Sequence, residues 1–172
     1  MIFGMTAVLI DAWLAVAQAG PIRMVAAGAA RAWRRLPGDA IGWLVVRGCG
    51  IGAPTREVAG AGRMVAVVED RRIGRWFELN LIPVQAQTLG RYVIAREPIS
   101  DETFEHELEH VRQWSRLGPL YLPLYFGSSA IAFLRERRPY WDNPFEAAAR
   151  RRAEREMMAR RKGQHPDRGG LG

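Results

Sequence analysis

Cysteine and histidine are scarce in this chain of 172 residues, which has one of the first and three of the second. With Cys49 alone, an internal disulfide has no second half, and any zinc site built from several thiolates is excluded. The lone cysteine reads as a small buried apolar residue. Long apolar runs are missing too, since a spanning helix needs ~20 consecutive residues. Residues 2 to 22 are interrupted by Asp11, and residues 119 to 134, although free of charge, are too few. Ala17-Gln18-Ala19 has the small-residue pattern of a signal-peptidase site, but residues 1 to 6 contain no basic side chain. The N-terminal stretch is therefore expected to be an amphipathic or buried helix. The expectation that follows is a cytoplasmic protein, with membrane association as the minority alternative.

What is present suffices for a real hydrophobic core. The chain is 48% hydrophobic and long enough for one domain, expected over residues 1 to 162 with a helical N-terminal part to about residue 36. Residues 163 to 172 read as a flexible basic tail. From Ala147 onward there are eight basic residues against three acidic, which leaves +5 of the net +7 at this end. A solvated helix end running into disorder is the first reading of it, and a peripheral membrane contact is the second. Nucleic acid is disfavoured, because no zinc-finger or helix-turn-helix pattern accompanies the basic run. Gly48-Cys49-Gly50-Ile51-Gly52 lacks the Lys-Ser/Thr ending of a phosphate loop and reads as a turn.

Ser100 or Asp101 can cap a helix, Asp101 and Glu102 suit its positive end, and Gly118-Pro119 stops it, so residues 101 to 117 form one helix. Turned at ~100° per residue, this segment separates into sectors. Phe104, Leu108, Val111 and Ser115 make an apolar face with Trp114 at its edge, and Glu105, Glu109, Arg112 and Arg116 make a charged one. His106, His110 and Gln113 occupy a stripe belonging to neither, with Glu107 on the border toward the apolar face. A core histidine would lie inside the apolar sector and a solvated one among the charges.

His106-Glu107-Leu108-Glu109-His110 is an HExxH pattern. The spacing sets two imidazoles one turn apart on one face as metal ligands, with Glu107 beside them to polarise a metal-bound water. A catalytic zinc takes three protein ligands, and the downstream option with context is Glu146 in Asn143-Pro144-Phe145-Glu146. An alternative reading of Glu146 is structural: Asn143 as N-cap, Pro144 in the first helical position, Glu146 completing a capping box, and Arg150 pairing with it one turn on. His165, in the Gly/Pro/Arg-rich tail, is a weaker ligand.

Taken together, residues 106 to 113, 118 to 125 and 139 to 146 resemble a family of small bacterial HExxH proteins of gluzincin type, the resemblance covering about residues 86 to 151. It implies a zincin-like α+β fold: a small β-sheet, the HExxH helix and a following glutamate-bearing helix. It also implies Zn2+ held by His106, His110 and Glu146. The chain departs from the usual gluzincin second helix, which often has an aspartate shortly after the glutamate, in having Ala147, Ala148, Ala149 and Arg150. The function expected is that of a zinc metallopeptidase acting on a peptide or protein substrate, with Glu107 as general base. The alternative is a zinc-stabilised, non-catalytic module docked to membrane or nucleic acid through its Arg-rich C-terminus.

The remaining elements are read from patterning. Residues 36 to 39 (Leu-Pro-Gly-Asp) read as a break after an alanine-rich helix, and residues 41 to 46 and 64 to 68 as strands. Trp76, Phe77, Leu79 and Leu81 suggest a further strand or short amphipathic piece. Residues 89 to 96 read as the strand before the HExxH helix, able to pair with an extended peptide if it lies at an edge. Residues 119 to 134 are expected to be a core helix behind that helix, with residues 135 to 138 an exposed turn.

Overall fold

The computed structural model describes residues 20 to 79 and 84 to 163. The readings made for residues 1 to 19, for Leu81 and for the tail with His165 fall outside them. The chain divides into two compact units, Met1–Trp33 and Arg34–Gly172, and the site lies wholly in the second. The elements are α1 (Gly20–Gly48), β1 (Arg56–Gly60), β2 (Arg63–Glu69), α2 (Gly74–Phe77), β3 (Ala86–Leu89), β4 (Tyr92–Ala95), α3 (Asp101–Leu117), α4 (Tyr121–Leu134) and α5 (Pro144–Gly163). Short 3-10 turns precede α2 and α4.

The strands form one mixed sheet in the order β1-β2-β4-β3. β1 with β2 and β3 with β4 are antiparallel hairpins, while β2 and β4 run parallel. The class is α+β, as expected, with α3 carrying both histidines and the later α5 carrying Glu146. Side chains alternate across a pleated strand, and the two central strands are covered on both faces. Val65, Val67 and Val93 pack with Phe104, Leu108 and Val111 of α3. Val68, Ile94 and Leu89 pack with Val46, Ile51, Ile73 and Phe77 on the opposite face. The apolar face read for α3 is therefore its sheet-facing side, each fully buried side chain contributing about 1.5–3 kcal/mol.

Three expectations are corrected. α1 runs unbroken through Pro37 and over residues 41 to 46, which are helical rather than a strand. Pro37-Gly38 is a turn signal locally, but here the glycines serve close packing. A Cβ on Gly38 would stand 2.6 Å from the Trp114 ring and 2.9 Å from the Gly90 Cα. Asp39 ties the same segment down, its Oδ1 accepting the Arg91 N–H at 2.9 Å and its Oδ2 pairing with Arg63. Residues 89 to 96 are not one strand, because Gly90 (φ +62) turns the chain between β3 and β4. Finally, α4 is not a core helix. Tyr121 and Ala132 are its buried residues, whereas Phe126, Phe133 and Leu134 are 63–80% exposed.

Candidate metal centre

α3 begins as its sequence dictates. The Ser100 side chain accepts from Thr103 N, and Asp101 and Glu102 occupy the first turn. Its hydrophobic face is held on the sheet, which fixes the rotation of the helix and so the direction of the histidine stripe. Trp114, 2% exposed, locks that rotation by donating from Nε1 to the Thr88 carbonyl at 3.2 Å.

His106 and His110 point along this stripe toward the first turn of α5, where Glu146 meets them. His106 Nε2 lies 3.1 Å from His110 Nε2, His106 Nε2 lies 3.2 Å from Glu146 Oε2, and His110 Nε2 lies 3.2 Å from Glu146 Oε1. Ligands ~2.0–2.2 Å from a tetrahedral zinc stand about 3.3 Å apart, so the three side chains already have the spacing of a closed ligand set. Glu146 Oε2 is buried and meets no donor in hydrogen-bond geometry, with His106 Nε2 beside it at 3.2 Å as an ion-pair partner, an arrangement that a cation between the two would complete. By donor chemistry and by geometry, His106, His110 and Glu146 form a group that can hold a metal ion.

His110 and Glu146 are held from behind. His110 Nδ1 is 2.8 Å from Gln113 Oε1 and 3.1 Å from the Tyr121 hydroxyl. With the proton on Nδ1, both oxygens accept from it and Nε2 keeps its lone pair for a metal. Gln113 is anchored in turn, donating from Nε2 to the Phe145 carbonyl at 3.1 Å. Tyr125 Oη donates to Glu146 Oε1 at 2.7 Å. His106, with a side-chain exposure of 16% against 7% for His110 and 3% for Glu146, marks the open side.

The start of α5 does not use Glu146 as a cap. Asn143, fully buried, caps the helix by accepting from Phe145 N at 2.9 Å and donates from Nδ2 to Tyr125 O and Ser129 Oγ. The capping box is not formed, because Asn143 N donates to Tyr140 O while the Glu146 carboxylate faces the histidines. Arg150 turns to the Trp141 carbonyl and stacks on the Trp141 ring at 5.0 Å. The far end of α5 is bound as well: Arg160 pairs with Asp101 and Glu105 of α3. Part of the basic run thus holds α5 beside α3.

Without a metal, the cluster behaves as an ion pair. Burial alone would lower the His110 pKa, but hydrogen bonding to Glu146 and the charges of Glu107 and Glu146 raise it to about 9. For Glu146, burial pushes the carboxyl up, and the two histidines and Tyr125 outweigh it, holding it well below the ordinary carboxylate range. Burial and the Glu146 charge push the Tyr125 and Tyr140 hydroxyls upward, so both are neutral donors at any physiological pH.

Glu107 is buried on the sheet side of the stripe, where its Oε2 accepts from Thr88 Oγ1 at 2.6 Å. Its charge is felt at His110, Tyr121, Tyr125 and Tyr140. Of the neighbours Thr88, Tyr121 and Tyr125, Thr88 is the one that sequence reasoning does not single out; the two tyrosines, with Tyr140, are on sequence candidate oxyanion donors, though a tyrosine is more often simply packed. The i,i+4 spacing of the two tyrosines was a usable signal, whereas nothing in Gln87-Thr88-Leu89 marks the threonine. No family model, curated protein or solved structure matches this chain.

Proposed function

We propose that this protein is a zinc-dependent hydrolase, a metallopeptidase of gluzincin type acting on a peptide or protein substrate. The observation that carries the reading is the convergence of His106, His110 and Glu146 to 3.1–3.2 Å separations, with one carboxylate oxygen meeting no donor in hydrogen-bond geometry. A zinc ion held there supplies a polarised substrate carbonyl and a water acidified toward a pKa of ~7.

The chain's own residues do the rest. Glu107, adjacent to His106 and fixed by Thr88, takes the proton of the attacking water and returns it to the leaving amine. Tyr125 and Tyr121 orient Glu146 and His110 and, being neutral, add no charge that competes for the cation. Substrate enters from the His106 side. β3 is an edge strand beside α3, but its Thr88 carbonyl is already engaged by Trp114, so backbone pairing there is limited to the remaining groups of a four-residue strand.

Zinc content and hydrolysis of unfolded casein test the assignment together. Glu107→Gln is expected to keep about one zinc per chain while turnover falls by at least about 10²-fold, the scale of a lost general base. His110→Ala loses both. Retained turnover in Glu107→Gln would remove Glu107 from the role of base. A wild-type protein that holds zinc with four protein ligands and hydrolyses nothing would favour the non-catalytic module.

A further inference from the structure

The face of α4 that points away from the metal centre has no polar side chain. Turned at ~100° per residue, the helix carries Tyr121, Tyr125 and Ala132 on one side, with Ser128 and Ser129 flanking them. The opposite half of the circumference holds Leu124, Phe126, Ile131, Phe133 and Leu134, all exposed, with Leu120 leading into it. An apolar face this broad belongs against a protein core or in lipid, and its large side chains are exposed in the described structure. Among the 14 residues of α4 there is no charge.

Its C-terminal end changes abruptly. Arg135, Glu136, Arg137 and Arg138 follow Leu134, all of them exposed, and Trp141, 53% exposed, comes next. An apolar helix face with arginines and a tryptophan at its end suits a membrane surface, where acyl chains take up the apolar side chains and the headgroup region accommodates both the guanidinium groups and the indole. A protein partner would normally meet some hydrogen-bonding groups on so wide a face, and this face offers none. At 1.5 Å per residue the helix is about 21 Å long, short of the ~30 Å hydrocarbon layer, so it lies in the interface and does not span.

We propose that α4 docks the protein on an anionic lipid bilayer, with Leu124, Phe126, Ile131 and Phe133 among the acyl chains and Arg135, Arg137 and Arg138 at the phosphates. Tyr121 and Tyr125, on the reverse side of the helix, touch His110 and Glu146. Docking therefore holds the metal centre one helix diameter, ~10 Å, from the bilayer, on the side of α4 turned away from lipid. The docking itself does not depend on what chemistry that centre performs.

Flotation of the full chain with vesicles of phosphatidylcholine, alone or mixed with phosphatidylglycerol, tests it. The wild-type chain is expected to float with the anionic vesicles and less so at high salt. Ile131→Glu with Phe133→Glu, both at exposed positions, should weaken that binding at least about tenfold with helix content and zinc stoichiometry unchanged. Arg135→Gln, Arg137→Gln and Arg138→Gln together should weaken binding to the anionic vesicles alone, by about fivefold per arginine at most. Wild-type protein that stays in the soluble fraction would overturn the proposal. So would a glutamate double variant that floats like wild type, which would assign the binding to the apolar residues 2 to 22. A concentration-dependent dimer abolished by the double variant, with no vesicle binding, would make a second copy the occupant.

Discussion

A carboxylate that is to act as a base must be buried, charged and aimed, and Thr88 meets the last need by donating to Glu107 Oε2. Thr88→Val leaves that oxygen without its partner, a cost of about 1–3 kcal/mol in a buried site. Zinc binding should persist while turnover falls by about tenfold, read from kcat at full zinc occupancy. Tyr125→Phe acts on the other carboxylate. Removing the donor to Glu146 Oε1 should weaken zinc affinity by about 10-fold, as losses of an orienting partner generally do, and competition with a fluorescent chelator measures it. At this scale the sequence was informative about the His106, His110 and Glu146 group and about Gln113, which shares the histidine stripe and bonds His110, and silent about Thr88. His106, Glu107 and His110 are related by a helical turn, which is local geometry, whereas Thr88 reaches Glu107 only because β3 lies beneath α3.

Among the elements, the α1 segment around Gly38 and the β3–β4 turn act as a pair. A Cβ on Gly90, which has φ +62, would stand 2.2 Å from the Gly38 carbonyl carbon and 2.4 Å from Asp39 N. Gly90→Ala is thus expected to destabilise the fold by at least about 2 kcal/mol, through backbone strain and overpacking combined, measured by urea denaturation. Asn143→Ala is a second test at this scale. It removes the α5 cap, worth about 1 kcal/mol, and also strips Tyr125 O and Ser129 Oγ of their donor. The variant should lose both stability and zinc affinity, since α5 is what carries Glu146 to the histidines. α3 was legible in full because its amphipathic period, cap and stop agree. α1 was not, because Leu36-Pro37-Gly38-Asp39 has the composition of a turn and stays helical only with Trp114 and Gly90 pressed against it.

For the whole molecule, the buried His110–Glu146 pair makes stability depend on pH. The His110 pKa is raised from 6.5 to about 9, so its contribution to the metal-free protein is complete below about 6.5 and is lost as pH rises through about 9. Glu146 is held below its ordinary value of 4.5, so its contribution is present above that pH and is lost on acidification below it. The melting temperature of the metal-free protein should accordingly be highest near pH 5–6.5 and decline toward pH 9. Between those limits zinc must displace the His110 proton, and calorimetry in buffers of different ionisation heat should find about one proton released per zinc bound. No proton release at pH 7.5 would show that the pair is not protonated. Zinc should also flatten the alkaline decline, because the metal replaces the proton that the pair loses.

The amino-acid order alone determined the local features: two imidazoles and a carboxylate on one turn of α3, the cap that starts that helix, and the strand Met64 to Val68 within β2. Each follows from interactions between residues a few positions apart, where backbone geometry leaves few choices. Tertiary packing decided whether Glu146 closed a capping box or faced the two histidines, since both arrangements begin from the same Asn-Pro-x-Glu start and differ only in where α5 lies. It also decided that α4 is apolar without being core, because burial depends on how much surface the rest of the fold has to cover it, and hydrophobicity by itself does not specify what does the covering.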